Sequence, residues 1–372
     1  MHRTAIKTVT YLLLSSTFSA CAAQEWRPAP LYPALTRPLP SEDSEAYRCP
    51  PAPAAVVDIQ TVSKYGEKAG KLNNSSVVDA DSEAEYVADI APIKAYGKFI
   101  VNSADHYIEG GKSANAEAQC ALDWLEAWAD GGAFLGQINR QGQSVRKWEL
   151  GTFATTYLKV QSASRDEAQK AKIRKWISEI AYRAKEDFST NPKLKSRRNN
   201  HLYWAAWGVL SAGLATGDKV LFDWGVDRYK FALDQIRDDG SLELEMERRT
   251  KAASYHMFAL APLILIAEAG EVNGIDLYAL NKRRLQKLID LNIAALDDMN
   301  VIGAKAGYKQ EDLYNESSLA WMEPYYARFH DVRVEKWLKK YRPMGSTRIG
   351  GDMTALYETA QPASGDIVKQ KE

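Results

Sequence analysis

The chain has 372 residues, 45% hydrophobic and 26% charged, with 48 Lys+Arg against 48 Asp+Glu. This is the composition of a folded globular protein and excludes a disordered, fibrous or disulfide-dense chain. A formal charge of zero also excludes a globally basic nucleic-acid binder, so an anionic ligand must be met by a local patch.

Residues 1–23, MHRTAIKTVTYLLLSSTFSACAA, place Arg3 and Lys7 ahead of an apolar stretch around Leu12 to Leu14 and end in small residues. This pattern predicts a signal peptide cleaved after Ala22 or Ala23, hence an exported, periplasmic protein. Phe18-Ser19-Ala20-Cys21 loosely matches a lipoprotein processing box, but Phe in the first position favours plain cleavage. In an oxidising compartment, one disulfide between Cys49 and Cys120 is the simplest reading, and it would pin an extended N-terminal arm to a helix. That arm, residues 24 to about 56, carries Pro28, Pro30, Pro33, Pro38, Pro40, Pro50, Pro51 and Pro53 and cannot be helical for long. From about 60 to 85 the chain is polar, with Gly66, Gly70 and Asn73-Asn74-Ser75-Ser76, and reads as a mobile loop.

Beyond it the apolar residues return at three- and four-residue steps almost throughout. The spacing predicts helices over Ala91 to Ser103, Asn115 to Ala129, Trp148 to Val160, Ala168 to Asp187, His201 to Thr216, Lys219 to Ile236, Ser254 to Ala269, Leu277 to Leu296 and Glu316 to Phe329. Ser164 reads as an N-cap with Glu167 completing a capping box, and Pro92 suits a first helical position. Gly213 and Gly217 bracket a helix end, and Gly240 follows Asp238-Asp239 in a turn. No later segment offers about 18 uninterrupted apolar residues, so no membrane span is expected. Amphipathic helices joined by short turns predict one all-α domain over 24–360, antiparallel hairpins arranged as an α/α toroid, with a disordered tail at 361–372.

Two clusters could carry chemistry. Lys193 to Trp207 runs from four cations through Asn199, Asn200 and His201 into an aromatic helix start. Charges attract, amides orient and aromatic faces stack, which suits an anionic sugar. A basic loop capped by Asn onto a core helix, with Trp204 and Trp207 as packing residues, explains the same residues equally well. In the second cluster, Glu245 to His256, a continuous helix would put Arg248 and Tyr255 on one face and a guanidinium beside a phenol. If the helix begins only near Ser254, the loop geometry decides. His106, His201, His256 and His330 are scattered without metal-ligand spacing, so no metal and no cofactor is expected. Carboxylate pairs such as Asp238-Asp239 and Glu311-Asp312 keep an inverting glycoside hydrolase open.

Asn199-Asn200-His201-Leu202-Tyr203-Trp204-Ala205-Ala206-Trp207, Glu247-Arg248-Arg249 through Tyr255-His256, Arg146-Lys147-Trp148 and Ser346 to Asp352 resemble the motifs of the periplasmic mannuronate-specific alginate lyases of polysaccharide lyase family 5. The likeness runs from about residue 25 to 355. It implies an incomplete α/α toroid with a tunnel-like cleft, β-elimination of alginate without a required metal, and a catalytic set of Asn200, His201, Arg248 and Tyr255. It further implies substrate contacts from Arg146, Trp148, Arg198, Asn199, Trp204, Arg249 and Arg348, and from a lid loop whose closest match is Lys64 with Tyr65. Alginate or polymannuronate is then the anionic partner, with alginate biosynthesis or export proteins as further partners. A non-catalytic polysaccharide-binding subunit of an export apparatus remains the alternative from another class.

Overall fold

The structure is a computed structural model that describes residues 26–37, 42–66, 75–311 and 314–358. The leader with Cys21 and the tail from 361 lie outside the described residues, as do Asp312 and part of the polar 60–85 stretch. Fourteen α-helices are described: α1 Ala80–Glu109, α2 Ala114–Asp130, α3 Arg140–Val160, α4 Glu167–Ser189, α5 Asn200–Thr216, α6 Lys219–Gln235, α7 Glu243–Met246, α8 Ala252–Val272, α9 Leu280–Asp297, α10 Asn300–Ala306, α11 Glu316–Leu319, α12 Met322–Phe329, α13 Val332–Tyr341 and α14 Met353–Tyr357. Gly345–Ser346 (β1) and Gly351–Asp352 (β2) form a small antiparallel ladder, Gly345 opposite Asp352.

Capping chemistry accounts for the helix starts that differ from expectation. Asp79 accepts from the Ser82 amide and opens α1 at Ala80, so residues 80–85 are helix rather than loop. Pro92 consequently falls inside α1, on its exposed side, instead of at a first turn. Asn139, bonded to the Gly142 amide, starts α3 well before Trp148. At α4 the cap is Asp166, which takes both the Ala168 and Gln169 amides, while Ser164 accepts only from Asp166 itself. The stretch Glu316 to Phe329 is two helices, and α13 was not anticipated. Gly217 and Gly240 adopt left-handed φ of 73° and 82°, as their turns require.

Helices adjacent in sequence pack on one another, α1 with α2 and α5 with α6, and α5 also touches α3, α4 and α8. The architecture is an α/α toroid. One apolar core gathers Tyr96, Trp128, Phe153 and Trp176; a second gathers Trp207, Leu260, Ile264 and Trp321, and α5 contributes to both. Burial of these large rings is the main favourable contribution, and it places Trp124, Trp128 and Trp207 in packing roles. The apolar α8 is long enough to cross a bilayer by composition, but most of it is buried in the second core.

Two glycines let α3 pack closely against α5 and against the segment that carries Arg348. A Cβ on Gly208 would meet the Lys147 carbonyl oxygen at 2.5 Å, and one on Gly151 would meet the Arg348 carbonyl oxygen at 2.7 Å. The N-terminal arm lies along α2, held by the Cys49–Cys120 disulfide and by Trp124 and Trp128, whose indole nitrogens donate to the Pro50 and Pro53 carbonyls at 2.9 and 3.1 Å. Further upstream, the Tyr32 hydroxyl donates to the Ile349 carbonyl at 2.7 Å, and Lys159, paired with Asp105, donates to the Gly350 carbonyl at 2.6 Å. These contacts fix the segment that carries Arg348.

Candidate active site

The first turn of α5 is anchored in the second core by Leu202 and Tyr203. Asn199 caps it, accepting from the His201 amide at 3.1 Å. Asn200 is fully buried: its backbone nitrogen and Nδ2 donate to Glu245 Oε1 at 2.8 and 3.0 Å, and Nδ2 also reaches Oε2 at 2.9 Å. The Asn200 amide is thereby turned onto a carboxylate, while its Oδ1 is buried without a hydrogen bond among the described residues. Burial raises the Glu245 carboxyl above its ordinary range, opposed by Arg248 and the Asn200 donors.

His201 faces α3. Its Nδ1 lies 2.7 Å from Lys147 Nζ and 3.5 Å from Ser144 Oγ. Burial, then the charges of Lys147, Arg248, Arg197 and Arg140, hold its imidazole well below its ordinary value, so it is neutral at neutral pH. Lys147 is itself fully buried, its ammonium 4.3 Å from the Trp148 ring centroid and 4.9 Å from that of Phe188. Burial depresses it strongly, Arg348 and Arg197 add to this, and Asp187 opposes it.

Arg248 precedes α8 in a turn whose next residue, Arg249, has φ of 57°. Helical spacing therefore does not relate Arg248 to Tyr255; the turn does, and it lays the guanidinium 4.1 Å from the Tyr255 ring centroid. His256 secures this turn by accepting from the Leu242 amide through Nε2 at 2.9 Å and donating from Nδ1 to the Ala252 carbonyl at 2.8 Å. Its burial pulls its titration down to about 4, the signature of a structural histidine. Tyr65 reaches in from the 60–66 segment, its hydroxyl 2.5 Å from that of Tyr255. Burial, reinforced by the neighbouring Tyr255, drives the Tyr65 hydroxyl far above its ordinary value, so Tyr65 keeps its proton, and either hydroxyl of the pair can be the donor.

The remaining expected residues divide. Trp148 sits beside His201, ring centroids 5.8 Å apart, and carries the Arg348 guanidinium 4.4 Å from its own centroid. Trp204 packs on Phe258 and helps line a cavity of about 180 Å³ with Ser254, Asn315, Ser318 and Arg348. Lys64 lies next to Tyr65 and 3.9 Å from Glu83. Three others take different positions: Arg146 is buried and doubly bonded to Asp187, Arg198 is exposed, and Arg249 is turned toward the Tyr308 ring. The basic loop contributes Arg197 instead, buried over Phe188. Asp238 and Asp239 are surface groups held by Arg284, Lys287 and Lys305.

Sequence reasoning placed Glu245 and Lys147 within its clusters but gave neither a role, and it missed the Lys94–Glu149 pair, whose carboxylate is buried. Ser144, Lys147 and Trp148 recur at helical spacing on α3 and could have flagged Lys147; nothing in the sequence singled out Glu245. Lys251 and Arg348 depress Lys64, Arg348 depresses Lys94, Arg348 and Arg197 depress Lys147, and Lys147, Arg248 and Arg197 depress His201. These lysines and arginines form the local cationic patch that a neutral chain requires for an anionic ligand. Among the described residues no group of three or more His, Cys, Asp or Glu is arranged to hold a metal.

The alginate lyase family model matches residues 66–301. A Pseudomonas putida alginate lyase is 35% identical over 322 residues, 84% of this chain and 86% of that protein. A Stenotrophomonas maltophilia polysaccharide lyase is 37% identical over 331 residues, covering 88% and 96% of the two chains. Among solved structures, alginate lyase A1-III, as a histidine-to-alanine variant complexed with tetrasaccharide, superposes with a TM-score of 0.71 at 26% identity, covering 89% of this chain and 91% of that one. The same enzyme from Sphingomonas species A1 gives a TM-score of 0.68 at 26% identity over 88% and 90%. With its helical toroid and cationic cleft already in view, the chain belongs to the alginate lyase family.

Proposed function

We propose that this chain is a lyase that cleaves polymannuronate by β-elimination in the periplasm, leaving 4,5-unsaturated uronate ends. The observation that carries the reading is the guanidinium of Arg248 laid on the Tyr255 ring within a cationic cleft. A uronate C5 proton becomes removable once the adjacent carboxylate is neutralised, and Arg248 and His201 supply the charge and the hydrogen bond for that. Tyr255 in its deprotonated form takes the C5 proton; the C5–H electrons form the C4–C5 double bond as the C4–O4 bond breaks, and the hydroxyl so formed passes that proton to O4, which restores the phenolate. In mannuronate both events lie on one face of the sugar, so a single residue serves both. Asn200, turned onto Glu245, acts from beneath the site or after its amide is released by substrate. Trp148, Trp204, Arg348 and Lys64 with Tyr65 hold neighbouring sugars.

Residues 24–360 act as one lyase domain after removal of the 1–23 leader, and the Cys49–Cys120 disulfide fits an oxidising compartment. The test follows unsaturated-uronate absorbance with polymannuronate, polyguluronate and a chelator. A chelator-insensitive rise on polymannuronate, lost about 1000-fold in Tyr255→Phe, is expected. A flat trace on both polymers overturns the reading, and full activity in Tyr255→Phe overturns the mechanism.

A further inference from the structure

We infer that Lys147 is a positioning residue for His201, holding the imidazole in the tautomer that carries its proton on Nε2 and presents it to the substrate. The inference rests on the elimination reading of His201 and deepens it.

The geometry is direct. Lys147 Nζ lies 2.7 Å from His201 Nδ1. The inference commits Lys147 to its ammonium form, which burial, Arg348 and Arg197 oppose and Asp187 favours; an ammonium has three donors and no lone pair, so in that form Lys147 donates and the facing ring nitrogen accepts. The single proton of a neutral imidazole then resides on Nε2, which makes no hydrogen bond among the described residues.

Among the described residues Lys147 has no competing hydrogen-bond partner. A buried lysine is ordinarily matched by a carboxylate. Here the nearby carboxylate, Asp187, is bonded twice by Arg146, and the Lys147 ammonium rests on the faces of Trp148 and Phe188. Among the described residues, His201 Nδ1 is its hydrogen-bond acceptor. The backbone on both sides is fixed, because Gly208 of α5 lets the Lys147 carbonyl approach where any Cβ would collide at 2.5 Å. Lysine and histidine are therefore held face to face by the helix crossing and not by flexible reach.

The electrostatics give the pair a use. Arg140, Arg197, Arg248 and Arg348 oppose positive charge on the pair and Asp187 favours it. A uronate carboxylate entering this cleft adds negative charge, which strengthens the ammonium and with it the Nε2–H tautomer. His201 then gives up no proton during the reaction: it donates a hydrogen bond to the carboxylate oxygens as charge builds on them after C5–H cleavage. Tyr255 retains the proton transfers.

The experiment uses the full mature chain with 15N-histidine, reading ring nitrogens by long-range proton–nitrogen correlation, with His201 assigned by the signals lost in His201→Gln. Wild type is expected to show a protonated Nε2 and a bare Nδ1. Lys147→Met is expected to mix or reverse the tautomers and to lower kcat on polymannuronate about 100-fold with KM within about threefold. Lys147→Gln, which keeps an N–H donor, is expected to restore the Nε2–H signal and about tenfold of the lost kcat. A wild-type imidazole protonated on Nδ1 or on both nitrogens overturns the inference, as does an Nε2–H signal unchanged in Lys147→Met. Because the wild-type spectrum alone decides the tautomer, a variant that fails to fold leaves the inference testable. The correct tautomer in a protein that makes no unsaturated product would overturn the elimination reading alone.

Discussion

At the start of α5, Asn200 is fully buried and tied to Glu245 by three hydrogen bonds, whereas Lys64 on the 60–66 segment is 40% exposed and reaches Glu83 only at 3.9 Å. Its neighbour Tyr65 joins the same site through one hydroxyl pair with Tyr255. Both regions supply side chains to one cleft, but the first is set by the packing that folds the protein and the second by contacts a substrate could replace. Damage to the buried region should therefore cost stability and activity together, and damage to the loop should cost activity alone.

The largest expected effect is at Glu245. Glu245→Ala strands two buried Asn200 donors and removes the carboxylate facing Arg248, at a cost of about 3 to 5 kcal/mol in urea unfolding. A cost below about 1 kcal/mol would break the comparison. Acid should act on the same region. His256 titrates near 4 when folded against an ordinary 6.5, so the unfolded chain takes up the proton first as pH falls. Stability is complete above about 6.5 and declines by about 3 kcal/mol down to about 4, measured as the urea midpoint against pH and lessened in His256→Gln relative to its own neutral value. Tyr65→Phe removes one hydrogen bond from the loop side and should lower kcat/KM about tenfold while leaving the unfolding midpoint unmoved. Smallest is Lys64→Ala: KM for the polymer rises about two- to threefold at low ionic strength, and the difference fades with added salt.

The two regions also differed in how far the sequence exposed them. The α5 start was legible because capping, cation density and an aromatic helix face coincide within Asn199 to Trp207, and the Asn199 cap forms as expected. Arg248 beside Tyr255 was legible as a pairing but not as a geometry: the positive φ at Arg249 breaks the helical spacing that would have related them. Arg146 was expected to contact substrate only through the resemblance carried by Arg146-Lys147-Trp148, and in the structure its guanidinium is bonded to Asp187, distant in sequence. Glu245 and Lys147 were hidden for the same reason in reverse: a buried charge declares itself only through the partner that folding brings. Helix existence was read well from apolar spacing, and helix starts less well, since Asp79 and Asp166 act through side-chain bonds that residue spacing does not encode.

The docking of Arg348 makes the cleft depend on both ends of the chain. Its receptors are Tyr32, Asp105, Lys159 and Trp207, the last donating to the Arg348 carbonyl at 2.8 Å, and all of them lie far from it in sequence. A product terminated before residue 345 would possess Tyr255, His201 and Arg248 but lack the guanidinium over Trp148. The C-terminal segment thus completes a substrate channel that the helices before it leave open on one side.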